Sequence, residues 1–358
     1  MSNKSASGPG DEHRLIAERR RKLDSLREAG FGFPNDRRRN ALAGELLGQY
    51  AGHDNEALEA QAIEVTVAGR LMAKRVMGKA SFAKLQDRSG QIQIRLQRDL
   101  LGDDTYKAFK AWDLGDIIWI RGTLFRTNTG ELTVLAAEIA LLTKSLQPLP
   151  EKFHGLTDQE LRYRQRYVDL IMNPESRRVF ETRTRVVQFL RSALDAKEFM
   201  EVETPMMQPI PGGALARPFV THHNALDREL YLRIAPELYL KRLVVGGFER
   251  VYEINRNFRN EGVSTQHNPE FTMLELYMAY ADFNDLINLL ESLVGQLIET
   301  VQATGPIRYQ DRDYDMRRPF RRLSVEAAVA EYNPELDAGR LRDRDYLASV
   351  CENLQIPV

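Results

Sequence analysis

Chemically versatile side chains concentrate in two alternating runs of the sequence, residues 251 to 258 and residues 270 to 278. Arg259 and Glu261 directly follow the first run, and alternate positions of the second run carry its functional groups. Since side chains two apart share one face of a strand, each set is expected to lie on one surface. The shared face of the second run carries Phe271, Met273, Glu275 and Tyr277.

Such a surface suits a ligand that combines a phosphate, a planar base and an ammonium group. The guanidinium of Arg259 could bind the phosphate, and the ring of Phe271 could stack on the base. Carboxylates and a phenol could bind the ammonium group. The alternative is a half-solvated sheet with surface ion pairs, which is the ordinary role of any one of these residues. The whole set in this order favours a binding site.

The two runs are expected to pair as a long antiparallel hairpin, because a short loop containing Gly262 joins them. The elements around it mix helices and strands, which predicts an α+β domain, and a flexible loop, Pro211-Gly212-Gly213-Ala214, lies beside them. Helices are predicted over Asp158–Met172, Glu175–Lys197, Pro236–Val245, Phe283–Ala303, Val325–Tyr332 and Asp345–Leu354. Short strands are predicted over Phe199–Pro205 and Leu230–Ile234, with a charged hairpin after Gly305.

An all-strand pattern occupies the region between Ile63 and Leu142. The predicted strands are Ile63–Arg75, Ala80–Asp87, Ile92–Gln97, Ile117–Phe125 and Leu132–Leu142, with glycine-containing turns between them. Five strands with one helix, Asp104–Trp112, between the third and fourth are typical of an OB-fold barrel, which binds single-stranded nucleic acid on strands 2 and 3. Phe82 could stack on a base there, or it could belong to the barrel core; the pattern leaves both interpretations open.

Composition limits the class of protein. A chain of 358 residues with 43% hydrophobic and 28% charged residues predicts about two soluble domains. The formal net charge is −1, so a nucleic-acid surface must be a local patch. A single cysteine, Cys351, excludes an intramolecular disulfide and suits a reducing cytoplasm. The sequence has no long apolar run, and none of its residues shows a usual metal-ligand spacing.

Four regions are predicted along the chain. Residues 1–60 form a polar tail and a helical extension, whose run Arg19-Arg20-Arg21-Lys22 is either a solvated helix face or a nucleic-acid contact. Residues 61–145 form the barrel, and residues 146–156 form a linker stiffened by Pro148 and Pro150. Residues 157–358 form the α+β domain.

These motifs resemble a known family. Phe199 to Pro205 resembles motif 1 of the class II aminoacyl-tRNA synthetases, and Phe258-Arg259-Asn260-Glu261 with His267 to Phe271 resembles motif 2. An OB-fold placed before these motifs marks the subgroup for lysine, aspartate and asparagine. Within this subgroup the bacterial lysyl-tRNA synthetases are the nearest resemblance, which rests on Arg162–Leu170, Thr221–Leu226 and Pro236–Gly247.

The resemblance implies a lysine–tRNA ligase that joins lysine to ATP with Mg²⁺ and passes the lysyl group to the terminal ribose of lysine tRNA. It implies that Arg259 is catalytic and holds the α-phosphate. It also implies that Glu261 accepts a hydrogen bond from the adenine amino group and that Phe271 stacks on the adenine ring. The other implied ATP contacts are His267 and Asn268. The implied lysine-binding residues are Gly213, Glu237, Glu275 and Tyr277.

In the barrel, the resemblance implies that four residues form the anticodon-reading surface: Arg75, Phe82, Gln93 and Glu131. It also implies a homodimer formed through motif 1 and its long helix, and a cytoplasmic enzyme without a membrane anchor.

The chain departs from the family pattern in two places. No glycine-rich motif 3, which carries a second phosphate-binding arginine and follows the metal-holding carboxylates, occurs before Val358. We therefore expect an incomplete sequence of a longer enzyme, with its metal ligands in the missing part. Gln266 stands where the motif 2 loop of the family has a basic residue.

Three alternatives remain open. The missing motif favours a non-catalytic tRNA-binding protein, built from an OB-fold and an incomplete synthetase domain. An aspartate enzyme would need cations where this chain has Glu275 and Tyr277, so a cationic substrate is favoured. A short paralogue that lysylates an elongation factor lacks the barrel predicted here.

Overall fold

The computed structural model describes residues 9–150, 156, 158–264, 267–301, 306–316 and 318–357. The predicted disordered tail therefore lies almost wholly outside the described residues, as does part of the predicted linker. Packing divides the chain into two compact units, Met1–Pro174 and Glu175–Val358. The predicted boundaries at 60/61, 145/146 and 156/157 remain predictions, since the compact units are defined by packing alone.

Unit 1 is built around a closed five-stranded barrel. Its strands are Glu64–Met77 (β1), Ala80–Gln86 (β2), Gln91–Gln97 (β3), Ile117–Arg126 (β4) and Leu132–Thr143 (β5). They pair in the order β1-β2-β3-β5-β4, with β3 and β5 parallel and the remaining pairs antiparallel. The barrel closes because β1 also pairs with β4. The predicted OB-fold is thus confirmed.

The strict alternation of β2 and β3 produces the barrel core. Ala83 and Leu85 point inward with Ile92, Ile94 and Leu96, all at most 2% exposed. Gly122 lies at a register shift between β4 and β5, where a Cβ atom would come within 2.0 Å of the Leu135 carbonyl oxygen. The close approach of these two strands therefore requires a glycine.

Helices surround the barrel in unit 1. They are Pro9–Glu28 (α1), Ala43–Gln49 (α2), Asn55–Gln61 (α3), Arg98–Leu101 (α4), Asp103–Ala111 (α5), Gln159–Arg164 (α6) and Arg166–Met172 (α7). The helix predicted over Asp104–Trp112 is observed as α5, and Gly102, with φ +81°, separates it from the short α4, which was not predicted. The helix predicted over Asp158–Met172 is split at Gln165, whose φ and ψ are not helical.

Unit 2 contains two small sheets, a hairpin and the remaining helices. Its strands are Met200–Glu201 (β6), Met207–Gln208 (β7), Val220–His223 (β8), Arg228–Leu232 (β9), Arg250–Phe258 (β10), Glu270–Met278 (β11), Ile307–Tyr309 (β12) and Arg312–Tyr314 (β13). Its helices are Pro174–Asp195 (α8), Glu237–Val245 (α9), Phe283–Val301 (α10), Val325–Tyr332 (α11) and Arg344–Asn353 (α12). The sheets are ordered β11-β10-β6 and β7-β9-β8.

The β10–β11 hairpin has one apolar and one polar face, as the alternation predicted. Tyr252 and Leu274 lie on the apolar face, which packs against Leu194 of α8 and Leu293 of α10. This burial anchors the hairpin on the two long helices and leaves its other face for polar side chains. The predicted α+β architecture is confirmed.

Candidate functional site

The register of the hairpin sets the composition of its polar face. Val251 lies opposite Tyr277, Glu253 opposite Glu275, and Asn257 opposite Phe271. Directly opposed residues of an antiparallel pair share a face, so two carboxylates, a phenol, an amide and an aromatic ring line one surface. The structure therefore brings Phe271, Glu275 and Tyr277 together, as expected from the sequence.

Arg259 lies at one end of this surface, one residue beyond β10. Its backbone N–H donates to the Pro269 carbonyl oxygen over 2.8 Å, which extends the hairpin pairing past the strand end. Its guanidinium carbon lies 5.2 Å from the centroid of the Phe271 ring. The buried Nε atom has no hydrogen-bond partner among the described residues. Arg259 thus keeps a donor for a ligand while the Phe271 ring orients its guanidinium.

The other end of the surface accommodates a cation. The Tyr277 hydroxyl donates to Glu275 Oε1 over 2.8 Å. The Lys241 ammonium lies 2.6 Å from Glu237 Oε1 and 5.7 Å from the centroid of the Tyr277 ring. Burial raises the pKa of Glu275, and the nearby charges of Glu237 and Glu253 raise it further against the opposing effects of Tyr277 and Lys241. A positive ligand would relieve this crowding of negative charge.

Gly213 brings the predicted flexible loop against the start of α9. Its φ is +90°, and a Cβ atom at this position would lie 2.8 Å from Glu237 Cβ and 3.1 Å from Ala235 Cβ. A side chain would therefore clash with the helix start as well as strain the backbone. The glycine allows the loop backbone to reach Glu237, consistent with the shared role predicted for these two residues.

Glu261, His267 and Asn268 lie in the loop between β10 and β11 and are exposed. The Nδ1 atom of His267 lies 2.9 Å from the Ser264 hydroxyl. Strand alternation does not reach Glu261, because β10 ends at Phe258. The ATP contacts expected of these loop residues remain predictions, and Gln266 lies outside the described residues.

Sequence reasoning missed a buried charge pair beneath the polar face. Arg233 Nη1 lies 2.7 Å from Glu253 Oε1, and the two side chains are 0% and 1% exposed. The Thr204 hydroxyl donates to Glu253 Oε2 over 2.6 Å. The signal available in the sequence was an arginine inside the apolar run of β9 and α9, together with a glutamate that alternates in step with Asn255 and Asn257.

A second candidate surface lies on the outside of the barrel. Arg75 pairs with Phe82, and Phe82 pairs with Arg95, whose guanidinium carbon is 6.0 Å from the Phe82 ring centroid. Phe82 is half-buried and lies outside the core, since its neighbours Ser81 and Ala83 point inward. Of the two interpretations left open by the sequence, the structure favours the outer face.

Two further predicted anticodon residues join this surface. Gln93 Nε2 donates to the Thr133 hydroxyl over 3.2 Å, and Glu131 Oε1 lies 3.3 Å from the Lys84 ammonium. Arg75, Phe82, Gln93 and Glu131 therefore lie on or beside the outer face of β1, β2, β3 and β5. A half-exposed ring flanked by cations and amides is the arrangement that stacks and reads an unpaired base.

No group of three or more His, Cys, Asp or Glu side chains in the described part of the chain is arranged to hold a metal ion. Within the same residues, every helix is too short or too polar to cross a bilayer.

Comparison with known proteins agrees with these geometries. The family described as tRNA synthetases class II (D, K and N) matches residues 158–347, and the OB-fold nucleic acid binding domain matches residues 65–142. The chain belongs to the class II tRNA synthetases of this group.

Within this group, the similar proteins include several lysine–tRNA ligases. The chain is 60% identical to the lysine–tRNA ligase of Thioalkalivibrio sulfidiphilus over 97% of its own length and 70% of the relative. It is 58% identical to the lysine–tRNA ligase of Burkholderia multivorans, covering 97% of the chain and 68% of the relative. The lysine–tRNA ligase of Cupriavidus metallidurans is 56% identical, with 96% and 67% covered.

Proposed function

We propose that this chain is a lysine–tRNA ligase, which activates lysine with ATP and transfers it to the 3′ end of lysine tRNA. The observation that carries the proposal is the cation-accepting end of the hairpin, in a chain with close relatives of that name. There the Lys241 ammonium is already held by Glu237 and lies near the Tyr277 ring. A substrate ammonium would meet the same chemistry.

The electrostatics separate lysine from the other two amino acids of the group. Glu275 lies half-buried among the charges of Glu237 and Glu253. An aspartate side chain would add a further negative charge to this cluster, and like charges in a partly desolvated site repel strongly. Arg233 already pairs with Glu253, and Lys241 with Glu237. Of the three amino acids, lysine alone brings a positive side chain to Glu275, whereas the neutral asparagine side chain would not.

At the phosphate end, we assign Arg259 to the α-phosphate of ATP and Phe271 to the adenine ring. Attack by the lysine carboxylate forms the new bond to the α-phosphorus, and the bond to the leaving pyrophosphate breaks. Such transfers depend on positioning and on neutralising the phosphate charge. Glu261, His267 and Asn268 would complete the nucleotide site from the loop. Mg²⁺ would accompany the triphosphate, and its neutralising charge is the chemistry it would supply.

We assign the outer face of the barrel to the anticodon of lysine tRNA, with Phe82 stacking on a base, Gln93 and Glu131 reading its edge, and Arg75 supporting them. We further propose a homodimer through the β6 region and α8, and a cytoplasmic location.

The first test is lysine-dependent exchange between ATP and pyrophosphate by the chain, with aspartate and asparagine as controls. We expect exchange with lysine alone. Arg259→Ala should lower it by about 10²–10³-fold, the usual cost of removing one preorganised charge-stabilising donor. Binding of the tRNA anticodon stem should be unchanged, because Arg259 lies outside the barrel.

Three results would contradict parts of the proposal. Exchange that responds to aspartate or asparagine would reassign the substrate. Salt-dependent tRNA binding without lysine-dependent turnover or lysine binding would favour the non-catalytic tRNA-binding alternative. Full activity in Arg259→Ala would show that the catalytic assignment is wrong.

A further inference from the structure

The buried charge pair of Arg233 and Glu253 joins the residue after β9, the strand β10 and the segment that follows β6. Arg233 follows β9 and precedes α9, whereas Glu253 belongs to β10. Their side chains are 0% and 1% exposed, with Nη1 and Oε1 separated by 2.7 Å. Charged side chains are almost never this deeply buried unless they are paired, so the location of the pair needs a physical reason.

Arg233 fixes the end of β10 that leads to Arg259. Its Nε donates to the Arg256 carbonyl oxygen over 3.0 Å, and its own carbonyl oxygen accepts from the Phe258 N–H over 2.9 Å. The second of these hydrogen bonds therefore holds Phe258, the residue next to Arg259. A shift of this strand end would move the guanidinium that we assign to the α-phosphate.

Glu253 fixes the segment that follows β6. Its carboxylate accepts from the Thr204 hydroxyl over 2.6 Å and from the Thr204 N–H over 3.2 Å. Arg233 Nη1 also donates to the Thr204 hydroxyl oxygen, over 3.0 Å. Arg233, Glu253 and Thr204 thus form a network that ties three separate segments of the chain together, and only Nη2 of the Arg233 guanidinium has no hydrogen-bond partner among the described residues.

The same network reaches the amino-acid end of the site. Glu253 lies directly opposite Glu275 in the hairpin, and only three residues separate Arg233 from Glu237 along the chain. The positive charge of Arg233 compensates Glu253, which leaves the neighbouring carboxylates available for a ligand. One buried pair therefore stands between the phosphate-binding arginine and the ammonium-binding carboxylates.

Stability alone is a weak reason to bury such a pair. Desolvation of two charges often cancels their attraction, and replacing both by apolar residues of similar volume is commonly neutral or stabilising. What apolar residues could not reproduce is the set of directed side-chain hydrogen bonds to Thr204 and to the Arg256 carbonyl oxygen.

We propose that Arg233 and Glu253 are positioning residues for lysine activation, which hold the phosphate-binding Arg259 and the ammonium-binding carboxylates in one fixed frame. This inference rests on the proposed function. It predicts that loss of the pair damages the reaction more than the fold, since a displacement of about 1 Å can cost roughly 100-fold in rate.

The test compares Arg233→Lys, Glu253→Gln and the double variant Arg233→Met/Glu253→Met with the unaltered chain. A matched control is Arg256→Met/Glu270→Met, a pair on the same hairpin whose side chains are 51% and 55% exposed. Three quantities are measured for each: the melting temperature, the dissociation constant of lysine by calorimetry, and kcat and KM for ATP–pyrophosphate exchange per folded molecule.

We expect Arg233→Lys and Glu253→Gln to lose about 100-fold in kcat/KM for lysine and to bind lysine more weakly. The double variant should recover the melting temperature of the unaltered chain without recovering lysine binding or exchange. The control should match the unaltered chain in all three quantities.

A double variant that recovers lysine binding and exchange together with its melting temperature would overturn the inference, because the pair would then serve the fold alone. Single variants with unchanged kcat, KM and lysine affinity would overturn it as well. If a single variant does not fold, the double variant decides. An unaltered chain that binds no lysine would instead refute the proposed function, and this inference with it.

Discussion

The outer face of the barrel and the polar face of the hairpin use the same two-residue alternation for opposite environments. In the barrel, alternate residues fill a closed apolar core and leave Phe82, Lys84 and Gln93 on an accessible surface. In the hairpin, the apolar face is covered by two helices, and the polar face itself contains buried charge, with Glu253 1% exposed and Glu275 half-buried.

The difference matches what we propose that each surface recognises. A base of a single strand is read by stacking and by hydrogen bonds to its edge, which an open surface provides. Activation of an amino acid needs fixed charges in a place where water does not screen them. A base-contacting residue on the outer face of the barrel can therefore be replaced without loss of the fold. In the hairpin, by contrast, the proposed chemistry depends on buried charges.

The strongest challenge to this comparison is a buried charge network inside the barrel unit that has no assigned ligand. Lys144 Nζ lies 2.6 Å from Asp113 Oδ2 and 2.8 Å from Asp116 Oδ1. Its side chain is 1% exposed, and that of Asp116 is 0% exposed. This network joins the end of β5 to the segment before β4.

We expect Lys144→Met to destabilise the barrel unit by about 3–5 kcal/mol, because it leaves a buried carboxylate unpaired. Urea unfolding followed by tryptophan fluorescence measures this, since both tryptophans, Trp112 and Trp119, lie in this unit. The matched control is Arg164→Met, which removes an ion pair whose side chains are 75% and 68% exposed and should cost less than about 1 kcal/mol. Equal losses in the two variants would show that burial does not decide the cost.

The next prediction concerns the charge of Glu275. Glu275→Gln keeps the shape of the side chain and removes its negative charge, so the affinity for lysine should fall by about 1.5–3 kcal/mol, the usual worth of a hydrogen bond to a charged group. Calorimetry with lysine measures the loss. Glu270→Gln, on the opposite face of the same strand, is the control and should bind lysine normally. Unchanged lysine affinity in Glu275→Gln would remove this residue from the site.

The pKa of Glu275 gives the same prediction a pH dependence. Its pKa is raised by burial, so the anion that binds lysine is lost at a higher pH than for an ordinary carboxyl, and affinity should fall as pH drops through the raised value. The native state holds this proton more tightly than the unfolded chain, so Glu275 adds stability as pH falls. Glu275→Gln should show neither effect.

Asp113 in the barrel unit should respond to pH in the opposite direction. Burial opposes its charge, but hydrogen bonds from Lys144 and Lys22 outweigh burial and hold its pKa below the ordinary value. Its contribution to stability is therefore present above the ordinary carboxyl pKa and is lost as pH falls through the lowered value.

The sequence predicted the barrel more completely than the hairpin site for a physical reason. Glycine turns such as Met77-Gly78 and Ser89-Gly90 limit each barrel strand, so every predicted strand end lies within two residues of the observed one. Alternation also placed Phe271, Glu275 and Tyr277 on one face. Alternation cannot supply the register, because the connection predicted to be short runs from residue 259 to residue 269, and a loop of that length allows several pairings.

The Arg233–Glu253 pair could not be predicted without the register. Only the register places Glu253 opposite Glu275, and only tertiary packing brings Arg233 to a residue twenty positions further along the chain. The same limit applies to Phe82, whose inward or outward direction follows from which of its neighbours fill the barrel core.

The smallest effect is expected at the barrel surface. Phe82→Leu keeps an apolar side chain but removes the aromatic face, and stacking of one base on such a ring is worth about 1–3 kcal/mol. Leucine retains part of the contact, so binding of a lysine tRNA anticodon stem-loop should weaken toward the lower end of that range. Fluorescence anisotropy with a labelled stem-loop measures this loss of affinity, and lysine-dependent exchange should be unaffected.

Phe125→Leu is the matched control for Phe82→Leu. The Phe125 ring also lies beside Arg95, with 5.7 Å between the ring centroid and the guanidinium carbon. It belongs to β4, however, and not to the strands that we assign to anticodon reading. If the two substitutions weaken binding equally, the ring of Phe82 has no special part in reading the anticodon, and the barrel face binds through its cations alone.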